Sequence, residues 1–372
     1  MYWWGSVKPA PVKRAMITET PLVIEYLTDN SAPQDEESWN QVLSKATKDV
    51  KSLLAYVQVP LSDLNQRQQA CVDFPLLVPQ PFIDKIEKGN ALDPLLLQVL
   101  PQGAELDAAE GFIDDPLAEK HSNLQKGLIH KYHGRVLVLL STGCAVNCRY
   151  CFRRHFPYQE NRMSKNDWQA TLNYVAQDSS IEELILSGGD PLMLNDQQLE
   201  KFITQAEKIS HLQRLRIHTR LPVVIPQRIT DSFVKILQYS RFDCAIVLHI
   251  NHAREVDAIL TKYLSKLTRA GITLLNQAVL LRGVNDSLEA QTELSKILFS
   301  AGVLPYYLHL LDKVKGAHHF EVSESDAIKL HRQLLLKLSG FLVPKLVREE
   351  AGRGSKTPVL VTDLLPVNTG DQ

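Results

Sequence analysis

From residue 135 onward, short apolar runs alternate with amphipathic stretches of helical length. The runs fall at residues 135–141, 183–187, 214–218, 245–250, 273–281 and 304–310. Between them the period changes to that of a helix. Ser164 with Asp167 forms a capping-box signature, and Trp168, Leu172 and Val175 then share one face. Leu199, Phe202, Ile203 and Ala206 do the same in the next segment. Strict strand–helix alternation predicts a parallel sheet, because parallel strands need helical crossovers. Six such units suit either an open doubly wound sheet or a partial barrel. In a barrel, chemistry sits at the C-terminal ends of the strands. The noteworthy polar residues fall there: a cysteine cluster after the first run, Gly188-Gly189-Asp190 after the second, and His249 with Asn251 after the fourth.

Upstream the pattern differs. Residues 35–130 read as helices broken by proline turns such as Val78-Pro79-Gln80-Pro81, with no strand-rich unit. Residues 1–30 have no period, and Pro9, Pro11 and Pro21 interrupt them. The expected organisation is an irregular extension over 1–30, a helical region over 31–125, an α/β core over 126–340 and a C-terminal segment over 341–372. Residues 1–15 read as an addition to the core, with Met16 an alternative start.

Composition narrows the function. Forty-one basic residues against 42 acidic ones leave a net charge of −1, so no broad field marks a nucleic-acid or membrane-surface binder. No run of 18 apolar residues exists, and the opening MYWWGSVKPAPVKRAM lacks a signal-peptide core. These features predict a cytoplasmic protein with neither nucleic acid nor membrane as partner. Of five cysteines, Cys144, Cys148 and Cys151 lie on one short loop, spaced C-x3-C-x2-C, and Cys71 and Cys244 stand apart. Three clustered thiolates suit an iron–sulfur cubane with one open iron. The alternatives are a zinc site completed by His155, which lacks the second ligand pair such sites usually show, and a binding module without catalysis.

The cysteine spacing, with Tyr150 before the last thiol, resembles the signature of the radical S-adenosylmethionine (SAM) superfamily. The strings NCRYCFRRHFPY, SGGDPL, HTRLPVVIPQRIT, NQAVLLRGVND and PYYL resemble the lysine 2,3-aminomutase family over residues 120–360. Within it, the short C-terminus and the cysteine-loop string look most like the branch that makes (R)-β-lysine for translation elongation factor P. The resemblance implies a partial (βα)6 TIM-like barrel, an isomerase activity, and a [4Fe–4S] cluster, SAM and pyridoxal 5′-phosphate (PLP) as cofactors. It implies that Cys144, Cys148 and Cys151 ligate the cluster. It implies that Gly188, Gly189, Asp190, His249 and Gln277 contact SAM, with the glycines letting the backbone approach the methionine moiety and Asp190 pairing its ammonium. Lys356 takes the place of the lysine that joins PLP, although Arg353 and Ser355 interrupt the family's glycine run. Tyr132 and Arg135 match the phosphate anchor. Arg153 matches the clamp on the substrate carboxylate. Asp312 and Glu349 match two carboxylates for the substrate ε-ammonium, with Glu in place of the family's Asp at 349 and Glu350 beside it. Each residue also has a plainer reading: a Gly-Gly turn before Pro191, core His249 and Gln277, and surface charges at Arg135 and Lys356.

In that family the reduced cluster cleaves SAM to a radical that removes a substrate hydrogen, and PLP holds the migrating amino group. The implied partners are L-lysine, an external reductant such as flavodoxin or ferredoxin, and indirectly the enzyme that attaches β-lysine to elongation factor P. Homo-oligomerisation stays open. The acidic pair disfavours glutamate as substrate, whereas arginine remains an alternative. Some related enzymes hold a structural zinc. Here Ser287 stands where its barrel cysteine would be, and the chain runs only 16 residues past Lys356, so no zinc is expected.

Overall fold

A computed structural model describes residues 37–119, 123–158 and 160–359. The described residues from Glu37 to Val359 belong to one compact unit. The expectations for residues 1–30, including the extension over 1–15, lie outside the described residues.

Ten strands form one sheet whose spatial order follows the chain. They are β1 (Asn123–Gln125), β2 (Leu128–Tyr132), β3 (Arg135–Ser141), β4 (Glu183–Gly188), β5 (Arg214–Thr219), β6 (Asp243–Leu248), β7 (Thr273–Val279), β8 (Leu304–His309), β9 (Lys345–Arg348) and β10 (Thr357–Pro358). From β3 to β9 every neighbouring pair is parallel. The crossovers are the helices Lys165–Gln177, Asp196–Ala206, Asp231–Gln238, Ala258–Arg269, Leu288–Ser300 and Glu324–Lys337. The architecture is thus six strand–helix units in an open, TIM-like partial barrel. All six expected strands are present. Ser164 caps its helix with both bonds of the capping box.

Two expectations need correction. The sheet has a seventh parallel strand, β9, paired on β8. The region assigned to helices also ends in a hairpin, with β1 and β2 antiparallel to each other and β2 antiparallel to β3. Gly127, at φ +74°, permits that turn.

Strand alternation explains the cavity. On β5, Leu215 and Ile217 are buried in the core beneath the helices, while Arg216 and His218 line the inside. The same inner face carries His249, Gln277 and His309. A closed barrel fills its interior with branched apolar side chains. Here polar side chains share the interior with apolar ones such as Leu137, Ile185 and Leu275, and a cavity stays open. The upstream helices contribute Leu53, Leu54, Phe82, Ile83, Leu95 and Leu96 to the same apolar core as the barrel. Among the described residues no helix is long and apolar enough to cross a membrane.

Candidate active site

β3 ends at Ser141, and the cysteine loop follows. The upstream region clamps this loop. Asn147 N–H donates to the Leu77 carbonyl (3.0 Å) and Arg149 N–H to that of Gln98 (2.9 Å). The Arg149 side chain, fully buried, donates to Glu105 (2.9 Å) and to the Phe74 carbonyl (2.7 Å). Arg154 reaches the same Glu105 carboxylate at 2.7 Å. A buried pair of this kind is weak as a source of stability but costly to break, so it fixes geometry.

None of the five cysteines, all among the described residues, is in a disulfide. Burial, and then repulsion from the neighbouring thiol, pushes Cys144 well up and Cys151 to about 11. They become thiolates only with compensating positive charge, which bound iron supplies. Among the described residues no three His, Cys, Asp or Glu side chains converge on a point fit for one metal ion. A cubane asks for three donors around a larger body, and the three cysteines line one cavity wall. His155, the candidate fourth zinc ligand, has its Nε2 3.2 Å from the Lys315 carbonyl instead.

Gly188 and Gly189 line the cavity and also serve the fold. A Cβ on Gly188 would sit 2.2 Å from the Ser141 carbonyl oxygen, and one on Gly189 2.2 Å from that of Gly143. The glycines therefore let the end of β4 press against the cysteine loop. Two backbone bonds seal that approach: Gly189 N–H to Ser141 O and Asp190 N–H to Gly143 O, both 2.8 Å. Asp190 is likewise committed within the protein. Its carboxylate accepts from the Thr219 hydroxyl (2.8 and 2.9 Å) and from the N–H groups of Leu192, Arg220 and Leu221 (3.0, 2.8 and 2.9 Å). These donors engage both carboxylate oxygens. Asp190 thereby ties β4 to the end of β5.

His249 lies with its Nε2 2.9 Å from the Gln277 amide nitrogen. Burial, then Arg220, lowers His249 to about 3, so the imidazole is neutral. Gln277 Oε1 is buried without a partner and can serve a ligand.

The remaining residues gather around Glu349, beyond β9. The Lys356 ammonium is 2.9 Å from Glu349 Oε2. The Tyr132 hydroxyl donates to Oε1 at 3.1 Å, and Lys131 lies 3.5 Å from it. Burial alone would raise Glu349, but the Lys356 ammonium and its hydrogen bond hold it at about 2. Asp312 shows the opposite: burial first, then the Glu349 charge, push it up to about 7. Arg135 lies over the Tyr132 ring at 4.7 Å. Arg153 is buried, and its fork faces Glu119 at 2.6 and 2.8 Å. A substrate carboxylate reaches that fork only in exchange for Glu119.

One cavity of about 730 Å³ is lined by every residue expected at the site. It also exposes residues the sequence reading passed over. Glu119 sat in a charged run that reads as solvated. Arg216, His218 and His309 are strand residues whose inward direction only the barrel reveals. The Nε of Arg216 and the Nε2 atoms of His218 and His309 are buried without hydrogen-bond partners. Unpaired buried donors are costly, and a bound ligand satisfies them. With Arg135, Arg216 and Lys131 beside Lys356, this end of the cavity fits an anionic, ring-bearing cofactor such as PLP.

A model of the radical SAM superfamily matches residues 138–290. The L-lysine 2,3-aminomutase of Haemophilus influenzae is 53% identical over 324 residues, spanning 87% of this chain and 96% of that protein. Its namesake from Escherichia coli is 52% identical, over 87% of this chain and 94% of its own length. That from Clostridium subterminale is 32% identical, over 88% and 78%. About half of the aligned positions are identical across nearly the full length of the first two relatives. The chain therefore belongs to the L-lysine 2,3-aminomutase family of radical SAM isomerases.

Proposed function

We propose that this protein converts L-lysine to (R)-β-lysine in a radical, PLP-dependent reaction, and that the product is destined for attachment to translation elongation factor P. The observation that carries the reading is the shared cavity, which exposes both a three-cysteine loop and a lysine–carboxylate pair flanked by a second acid. When bound, the cluster with SAM supplies a radical able to take hydrogen from an unactivated carbon, and PLP supplies a carbonyl that carries the amino group.

The protein's own groups do the rest. Glu349 holds the Lys356 side chain in place through a 2.9 Å hydrogen bond from its Nζ, which aims the amine into the cavity as a nucleophile. Asp312 sits near its titration midpoint and becomes a full anion when a substrate ammonium arrives beside it. Arg153 offers a bidentate fork to a carboxylate once Glu119 yields it. The upstream region clamps the cysteine loop through Leu77, Gln98 and Glu105 and so fixes where the cysteines stand. The elongation-factor assignment is supported by the cysteine-loop string.

The test is anaerobic turnover of L-lysine with chiral chromatography, omitting SAM, PLP and reductant in turn. (R)-β-lysine formed only in the complete mixture supports the reading. SAM cleavage without β-lysine from lysine, or with turnover of arginine instead, overturns the substrate. Incubation with elongation factor P and its lysyl-transferring enzyme should add the product's mass to the factor, and no such addition removes the downstream role.

A further inference from the structure

Arg220 follows the last residue of β5 and is buried. Its Nη1 is 3.1 Å from Cys148 Sγ and also contacts the Tyr150 hydroxyl. Its Nη2 donates to Gln98 Oε1 (2.8 Å) and Glu255 Oε2 (3.1 Å). Phe82 and Tyr150 present their rings to the guanidinium at 5.6 and 5.5 Å. Glu255 is fully buried, and its other oxygen accepts from the N–H groups of Asn251 (2.9 Å) and His252 (3.0 Å) and from Gln98 Nε2 (3.1 Å). Gln98 Oε1 in turn accepts from Asn251 Nδ2 at 3.0 Å. Three separate segments thus hold one guanidinium edge-on against one cysteine sulfur. Beyond its part in lowering His249, the site chemistry described above does not use this side chain.

We propose that Arg220 sets the reduction potential of the cluster through a charged N–H···S contact to Cys148, with Glu255 and Gln98 as the residues that aim it. The inference rests on the reading of Cys148 as a cluster ligand. Reduction takes one electron from a low-potential donor and adds negative charge to the cluster and its thiolates. A cation and an N–H donor on a ligand sulfur stabilise that added charge and raise the potential. Glu255 acts in the opposite sense, since its anion lies on the far side of the same guanidinium and offsets part of its charge. Arg220 is a positioning residue here: it touches the ligand sulfur, not the reacting atoms.

The two signs make the test. Wild type, Arg220→Lys, Arg220→Gln, Glu255→Gln and the double variant Arg220→Gln/Glu255→Gln are reconstituted anaerobically and assayed for iron. Each is then titrated with dithionite and redox mediators, without SAM, and the reduced cluster is read by electron paramagnetic resonance. Arg220→Gln should lower the reduced fraction at fixed poise about tenfold, a 59 mV shift for one electron. Arg220→Lys, which keeps charge without the fork, should fall between. Glu255→Gln should shift the potential upward, and the double variant should lie between the two single changes. A merely structural role cannot produce opposite signs. Unchanged potentials, or shifts in one direction for both single variants, overturn the proposal. Loss of the cluster from every variant assigns Arg220 and Glu255 to building the loop and overturns it equally. Wild type that takes up no iron defeats the underlying ligand reading instead.

Discussion

Asp312→Asn probes the substrate end of the cavity with a signature worked directly from its titration. Burial and the Glu349 charge hold Asp312 at about 7, against an ordinary carboxyl near 3.8. Below that value the empty site carries a proton that an arriving ammonium must displace. Lysine binding at pH 6 should therefore release about one more proton from the wild type than from Asp312→Asn, and the difference should vanish by about pH 8.5. One unit below its midpoint, the protonated carboxyl weakens binding about tenfold, or about 1.4 kcal/mol, relative to the charged form. The wild-type affinity should fall by that factor between pH 8 and 6, and the variant should be weaker throughout and flat. The empty protein shows the converse sign. Between pH 3.8 and about 7 the native state holds a proton that the unfolded chain has lost, so this group's contribution to stability declines as pH rises through that window. The assay is calorimetry of cofactor-loaded protein with lysine, in two buffers of different ionisation heat at each pH. Equal proton release from wild type and Asp312→Asn at pH 6 would refute the reasoning.

Three further outcomes follow from the same geometry. Anaerobically prepared protein should contain about four irons per chain, and Cys148→Ala should remove them; stoichiometric zinc in place of iron would sink the cluster assignment. Borohydride reduction of PLP-loaded protein should mark Lys356 and spare Lys131, whose ammonium lies 3.5 Å from the same Glu349, and peptide mapping decides between them. Gly189→Ala drives a Cβ to 2.2 Å from a backbone oxygen of the cysteine loop, a clash of the kind that costs roughly 1–3 kcal/mol or more, so iron content should collapse. Full iron and an unchanged visible spectrum in that variant would show that the loop can move aside.

What could be read from the sequence follows physical lines. The six core strands were visible because strands buried in a parallel sheet read as apolar runs between capped helices, as β4 and the Ser164 box show. β9 was missed because Lys345-Leu-Val-Arg348 is four residues long with a charge at each end. The cysteine loop was visible since its ligands are local. The use of Asp190 was not, because its hydrogen-bond donors Thr219, Arg220 and Leu221 come from the next strand end. The same holds for Arg153: its neighbour in space, Glu119, looks like a solvated charge in the chain. Sequence locates chemistry where spacing is short, and tertiary closure decides which charges remain free.

Glu349 has a consequence for how the protein comes to exist. The sheet runs linearly from β1 to β10, so its two margins are remote in order. Yet Tyr132 and Lys131 on β2 and Lys356 beside β10 all meet the one carboxylate. The open side of the barrel is thus laced by side chains rather than by strand pairing. During synthesis the cysteine loop emerges early and can collapse on the upstream helices while most of the barrel is still unmade. The lacing cannot form until Lys356 has left the ribosome. Assembly therefore has a built-in order, with the cysteine loop in place before Lys356 arrives to shut the wall.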